Sequence, residues 1–451
     1  MISMLTAPDM RIWHRRVWQL SLPIMLSNAS TPLLGMVDTA VVGHLDSAHY
    51  LGAVAVGSMI FSLLFWGFGF LRMGTTGMTA QSLGAGDYDE TVAHLARAIL
   101  LAMGIGLLLI CLQIPLSHIA FTLTDSSEAV TTEGMRYFQA RIWGAPATLL
   151  NYCLMGWFLA MNRTRYVLAL QLTLNGANIL FDLIFVVGLS YTADGVGYAS
   201  VIAECIAAGI GLVLVRRLIQ QQTGRLSRAA VLNTTALKRL LAVNADIMIR
   251  TLCLQIGFLW FTAQGSQISD LTLAANAILL QFQTFTSFAL DGFAYTAESL
   301  TGQAKGARSR RQFDIAVIVS SLWAGVFSLI FALSYLALGP VIIGLLTDLQ
   351  HVRDHAALYL PYVILLPIIS VASFQLDGVF IGATETRALR NAMVVSLLTF
   401  LASGYLLMPV MGNHGLWISF TLFMAMRAIT LGIAYPRLRL SIPAAESGQS
   451  G

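Results

Sequence analysis

The sequence predicts an all-α integral membrane protein of twelve transmembrane helices arranged as two pseudo-twofold-related six-helix lobes. Three observations carry that expectation. Hydrophobic residues make up 57% and charged residues 11% of the 451 positions. Soluble domains carry about 25% charged residues, so the bilayer is the solvent this chain suits. Apolar segments of bilayer-spanning length recur along the whole sequence, about 20 residues being needed for each crossing. Finally, the chain repeats itself. LGAVAVG from Leu51 and LAANAIL from Leu273 lie 222 positions apart, as do Gln81 and Gln303, and as do GWFLAMNRTR from Gly156 and GVFIGATETR from Gly378. A repeat of six spans keeps both copies the same way up, so the lobes are parallel repeats about an axis along the membrane normal.

The spans are expected at 17–44, 50–72, 91–116, 129–161, 165–189, 195–217, 240–264, 271–303, 313–337, 355–383, 389–410 and 413–436. Those at 129–161, 271–303 and 355–383 exceed what a bilayer needs, so they tilt or project beyond it. The lobes are placed at 1–217 and 240–451. The polar stretch 218–239 links them as a partly helical connector. Arg11, Arg15 and Arg16 precede the first span, and Arg163, Arg165, Arg216, Arg217, Lys238, Arg239, Lys305, Arg308 and Arg387 fall in loops on the same side. The opposite loops at 44–50, 117–128, 189–194, 264–270 and 410–413 contain no Lys or Arg; Arg353 is the exception near that surface. The positive-inside rule then puts both termini in the cytoplasm.

The first span carries Pro23, Pro32 and Asp38. Each proline removes a backbone hydrogen bond and strains the preceding turn, so both are candidate hinges. A carboxylate in hydrocarbon must be protonated, paired or hydrated. The fifth span adds Asn175, Asn178 and Asp182, spaced i, i+3, i+7 and hence on one face. Ser200 follows on the sixth span. Counting at about 1.5 Å per residue, Asp38, Asp182 and Ser200 all lie roughly 9 Å below the outer surface. Asp38, Asn175, Asn178, Asp182 and Ser200 therefore form a candidate site for H⁺, in which two carboxylates share protons. Asp38, Asn178 and Asp182 equally suit Na⁺. Further candidates, as lining of a substrate cavity, are Glu204, Met36, Phe61, Gln283, Asp291 and Asp377, with Gln375 nearby. Asp246 and Arg250 are spaced as an i, i+4 ion pair.

Cys111, Cys153, Cys205 and Cys253 lack any CxxC spacing and read as unpaired. The sequence shows no P-loop, HExxH motif or nucleophile elbow, which argues against an ATP-driven pump and against an enzyme. Nor is the charge of +4 a nucleic-acid signal, because the basic residues follow the loops.

The runs PLLGMVDTAVVGHLDSAHYLGAVAVG, TAQSLGAG, TGQAKGA, NGANILFD and DGVGYASVIAE resemble the multidrug and toxic-compound extrusion (MATE) transporters. FLRMGTTG and ALDGFAY are similar to the damage-inducible F (DinF) branch. The resemblance implies two six-helix bundles around a central cleft. It implies export of amphipathic, often cationic, drugs and toxins in exchange for H⁺ or Na⁺, with no other cofactor. Asp38, Asn178 and Asp182 match the branch's coupling residues and Pro23 its hinge; Ser200 stands where some relatives have Thr, which leaves the ion open. The C-lobe acids of another branch do not carry over to Asp291 and Asp377. The expectation is a monomeric antiporter of the bacterial inner membrane. A lipid-linked precursor flippase of the same superfamily is the alternative.

Overall fold

The computed structural model describes residues 8–43, 47–124, 126–221 and 227–443. The side chains of Met36 and Asp38 lie outside the described residues. Among the described residues there are sixteen α-helices and no strand. Helix α1 (Pro8–Val42) is followed by α2 (Ala48–Gly67) and α3 (Phe70–Gly84), then α4 (Tyr88–Cys111) and α5 (Gln113–Thr124). Next come α6 (Glu128–Arg141), α7 (Ala145–Ala160), α8 (Thr164–Asp182), α9 (Ala193–Gln221) and the single turn α10 (Arg228–Val231). Six long helices complete the chain: α11 (Thr234–Ile268), α12 (Asp270–Gly306), α13 (Arg310–Leu346), α14 (Gln350–Gly382), α15 (Thr386–Met411) and α16 (Asn413–Leu440).

These helices make twelve rods. Ten are long and apolar enough to cross a membrane, and α1 and the α6–α7 run supply the other two. Several expected spans are broken. Gly67 and Gly69 interrupt the rod between α2 and α3. A 3₁₀ turn at Ile142–Gly144 divides α6 from α7, just ahead of Pro146, which sits in the first turn of α7, where its missing N–H leaves no helical hydrogen bond unmade. The rod of α8 ends in a π-helical turn at Leu183–Gly188, where the Leu189 N–H reaches the Ile184 carbonyl at 2.9 Å.

The internal repeat is written into the backbone. Helices α2, α4, α6 and α8 begin at 48, 88, 128 and 164; α12, α13, α14 and α15 begin at 270, 310, 350 and 386, each 222 positions later. The loops match as well. Gly86 and Arg308 both take a left-handed conformation (φ 74° and 53°), as do Asn162 and Thr384 (56° and 52°). Even a close helix crossing repeats. A Cβ on Gly156 would strike the Arg72 carbonyl, and one on Gly378 would strike the Ala294 carbonyl. Small residues allow such backbone approach between membrane helices.

The chain divides into two compact units. One holds α1 up to Met25, residues 83–86 and everything from Ala242; the other holds residues 26–82 and 87–241. Helix α1 is thus shared, dividing two residues beyond Pro23, although it runs without interruption through Pro23 and Pro32. Aromatic packing anchors its first half: the Trp18 ring meets Phe293, Trp323 and Phe327 edge-on at 6.0, 5.1 and 5.6 Å. Ser21 and Thr296 share a hydrogen bond of 2.8 Å between their hydroxyls. The larger core of that unit is aromatic, built on Phe261, Phe282, Phe400, Trp417 and Phe420. In the other unit the linker is tied down: buried Arg97 on α4 pairs with Glu90 at 2.6 Å and donates to the carbonyls of Ala230 and Val231 around α10. All four cysteines are free; Cys153 and Cys253 are buried, Cys111 and Cys205 exposed.

Candidate functional site

The predicted polar face of the fifth span exists. Asn175, Asn178 and Asp182 are buried together on α8, with Asp182 wholly excluded from solvent. Asn178 donates to the Ser200 hydroxyl of α9 at 3.0 Å. Asn175 donates to the carbonyl and hydroxyl oxygens of Ser30 on α1, at 3.1 and 2.9 Å, and accepts from Gln171 at 3.0 Å. The Ser30 hydroxyl donates in turn to the Ser27 carbonyl. The i, i+3, i+7 spacing therefore serves two neighbours, α1 at one level and α9 at the next. Asp182 is the last residue before the π turn, a distortion that occurs often at functional sites. The Pro23 ring is buried and Pro32 is half-buried on the same α1. Asp38 lies two turns beyond Ser30 along α1, and its side chain, like that of Met36, is outside the described residues. No group of three or more His, Cys, Asp or Glu side chains suited to a metal occurs among the described residues.

The MatE family profile matches residues 23–184 and 247–406, most of the chain, and both halves of the repeat separately. The chain belongs to the MATE family of transporters. It is 40% identical to the DNA damage-inducible protein F of Escherichia coli (strain K12) over 438 residues, 97% of this chain and 94% of the relative. It is 24% identical to a probable multidrug resistance protein NorM of Pasteurella multocida, covering 95% of each chain. In fold it is similar to a solved MOP-superfamily transporter from Pyrococcus furiosus, with TM-score 0.86 at 17% identity over 95% of this chain and 96% of that one.

The remaining candidates of this MATE chain occupy different settings. Glu204 on α9 accepts both guanidinium nitrogens of Arg141 at 2.8 and 2.5 Å and the Thr148 hydroxyl at 2.6 Å. Phe61 packs on Phe65 and Phe138 at 5.4 and 4.8 Å, with the Arg141 guanidinium over its ring at 5.5 Å. Asp377 on α14 is held by Arg250 of α11 at 2.5 Å and Arg427 of α16 at 2.7 Å. Asp291 is half-buried on α12 within electrostatic reach of Arg427. Gln283 is buried on the same helix, and neither atom of its amide finds a partner among the described residues.

One sequence reading needs correction. Asp246 and Arg250 do not pair with each other. Asp246 takes Arg390 at 2.7 Å and the Thr386 hydroxyl at 2.9 Å, which frees Arg250 for Asp377. Arg141 and Arg427, which the sequence reading did not single out, are tied with Arg250 to carboxylates within the helices. The missed signal was an Arg in each of several apolar segments that also contain, or face, an acid.

Proposed function

We propose that this transporter is a secondary active antiporter that exports small amphipathic, often cationic, compounds in exchange for H⁺, or for Na⁺. The observation that carries the proposal is the buried row Asn175, Asn178 and Asp182, bonded to α1 through Ser30 and to α9 through Ser200. A carboxylate buried at membrane depth is tolerated when a proton or a cation neutralises it. In this reading Asp182 and Asp38 take up the coupling ion with Asn178 and Ser200 as neighbouring ligands, and Asn175 conveys the change to α1. Neutralisation removes repulsion between the carboxylates. Helix α1 then bends at Pro23, where the ladder lacks a hydrogen bond, with Pro32 as a second weak point. The division of α1 between the two units just beyond Pro23 supports that hinge.

The substrate class rests on the names of relatives such as the Pasteurella NorM protein. Gln283 stays a candidate for the substrate cavity, its buried amide having no hydrogen-bond partner among the described residues. Glu204 and Asp377 are occupied by arginines and act as helix ties here. Those same ties favour an exporter over a lipid-linked precursor flippase, which needs cationic groups available to a pyrophosphate. The proposal includes a monomer in the bacterial inner membrane with cytoplasmic termini.

Efflux of a cationic dye from proteoliposomes under an imposed pH or Na⁺ gradient tests it. Wild type is expected to transport under one gradient, and Asp182→Asn and Asp38→Asn to lose most of that transport while inserting normally. Full activity in both variants would overturn the proposed coupling site.

A further inference from the structure

The two copies of the repeat differ in charge at their arginine-rich ends. In the second copy several basic residues are matched by acids. Arg439 of α16 pairs with Asp314 of α13 at 2.7 Å, Arg390 with Asp246 at 2.7 Å, and Lys305 with Glu385 at 2.8 Å. At the offset of 222, the first copy has Val92 in place of Asp314, Ile24 in place of Asp246 and Arg163 in place of Glu385. Arg387 and Arg439 keep their charge there as Arg165 and Arg217, and Arg216 stands where the second copy has Leu438. Arg163, Arg165, Arg216 and Arg217 are all exposed, and none has a carboxylate partner among the described residues. The four also lie at one level. Helices α8 and α9 run antiparallel: Asn178 meets Ser200, and a Cβ on Gly211 would touch Leu170 at 3.4 Å. Arg163 and Arg165 lie seven and five residues before Leu170, and Arg216 and Arg217 five and six after Gly211. At about 1.5 Å per residue, all four sit about 7–11 Å beyond that crossing, on two packed helices. Leu172, Ile210, Leu212 and Val213, on the same stretch of α8 and α9, are exposed.

We propose that these four arginines hold an anionic phospholipid of the surrounding bilayer, its phosphate at the paired ends of α8 and α9 and its acyl chains along the exposed apolar side chains beneath. Arginine suits that task, because its planar fork gives a phosphate two parallel hydrogen bonds. Basic clusters at the membrane end of a helix attract anionic headgroups. The rule that keeps basic loops on the cytoplasmic side accounts for arginines in both copies. It does not account for the loss of the acids from one of them. A free phosphate would meet the same charges but would leave Leu172, Leu212 and Val213 uncovered; a lipid answers both features. The site is at the opposite end of α8 from Asp182, and it does not depend on the antiport reading.

Native mass spectrometry of the full chain in detergent tests the proposal, with phosphatidylglycerol as the probe and phosphatidylcholine of the same acyl chains as its zwitterionic counterpart. Wild type is expected to bind phosphatidylglycerol about tenfold more tightly. The combined variant Arg163→Gln, Arg165→Gln, Arg216→Gln and Arg217→Gln should lose that preference. The pair Arg387→Gln and Arg437→Gln removes two exposed arginines from the second copy and should keep most of it. Glycerol 3-phosphate, the phosphate without the chains, should not displace the lipid at equal concentration. Thermal unfolding confirms that each variant is folded, and the pair Arg165→Gln and Arg216→Gln replaces the fourfold variant if that one fails, with a loss of about threefold or more expected. Equal affinity of wild type for the two lipids, an undiminished preference in the folded α8–α9 variant, an equal loss in the second-copy pair, or displacement by glycerol 3-phosphate would overturn the site.

Discussion

Glu204 accepts donors from two sources, the Arg141 guanidinium and the Thr148 hydroxyl, while Asn151 donates at 3.0 Å to its backbone carbonyl. The pair joins α6 and α7 to α9, and Phe61 and Phe65 of α2 cover the guanidinium. Buried pairs such as this gain little over an apolar replacement, but removing one partner strands the other charge. Glu204→Met should therefore lower stability by about 3–5 kcal/mol, and the double variant Arg141→Met with Glu204→Met should recover much of the loss. Thermal unfolding in one detergent measures both. At this scale the sequence was legible where a period could be counted. Asn175, Asn178 and Asp182 could be placed on one face because helical spacing alone decides it. Arg141 could not be assigned to Glu204, 63 positions away, because only tertiary packing brings α6 to α9. The apparent Asp246–Arg250 pair failed for the same reason: better partners on α14 and α15 outcompeted an i, i+4 neighbour.

Repetition was the most readable property of the elements. Matched motifs foretold matched helix starts, and the left-handed loop residues recur at the same offset of 222 even where the second copy has Arg308 in place of glycine. The interruptions were less readable. An apolar run looks the same whether it forms one helix or two, so the breaks after Gly67 and at Ile142–Gly144 were absorbed into continuous spans. The π turn after Asp182 leaves no local pattern at all. Gly156 and Gly378 give the repeat an energetic test. Each sits where a Cβ would meet a main-chain carbonyl, which cannot rotate aside as a side chain can. Gly378→Ala should cost about 1–3 kcal/mol, and Gly156→Ala a similar amount, because the crossing is the same in both copies. Equal stability of both variants and wild type in a chemical denaturation series would show that the helices separate without penalty.

Across the molecule, polar and apolar residues are placed as a bilayer demands. Leu107, Ile114, Leu123, Val187, Leu336, Leu345 and Val410 are among the large apolar side chains left exposed, whereas Asn178, Asp182, Thr286, Glu298 and Ser370 are buried. In water that distribution would be costly; in hydrocarbon it covers the polar groups and presents apolar ones. It does not say which end of each rod faces the cytoplasm. That direction comes from the loops. Arg308 and Arg311 flank the start of α13, and Arg387 and Arg390 lie in the first turns of α15, while the turn at Gly412 between α15 and α16 has no Lys or Arg beside it. Lys305 also bonds the Ala383 carbonyl and Glu385 at 2.7 and 2.8 Å, so two basic loops meet on one side. Moving such loops across a membrane is disfavoured, so they are predicted to face the cytoplasm. In a chain with its four cysteines replaced, Arg308→Cys should resist a membrane-impermeant thiol reagent added to intact cells and react once the cells are opened. Gly412→Cys should react in both cases. The reverse pattern would invert every loop and with it the direction of transport, since the α8 row would then lie nearer the cytoplasmic surface.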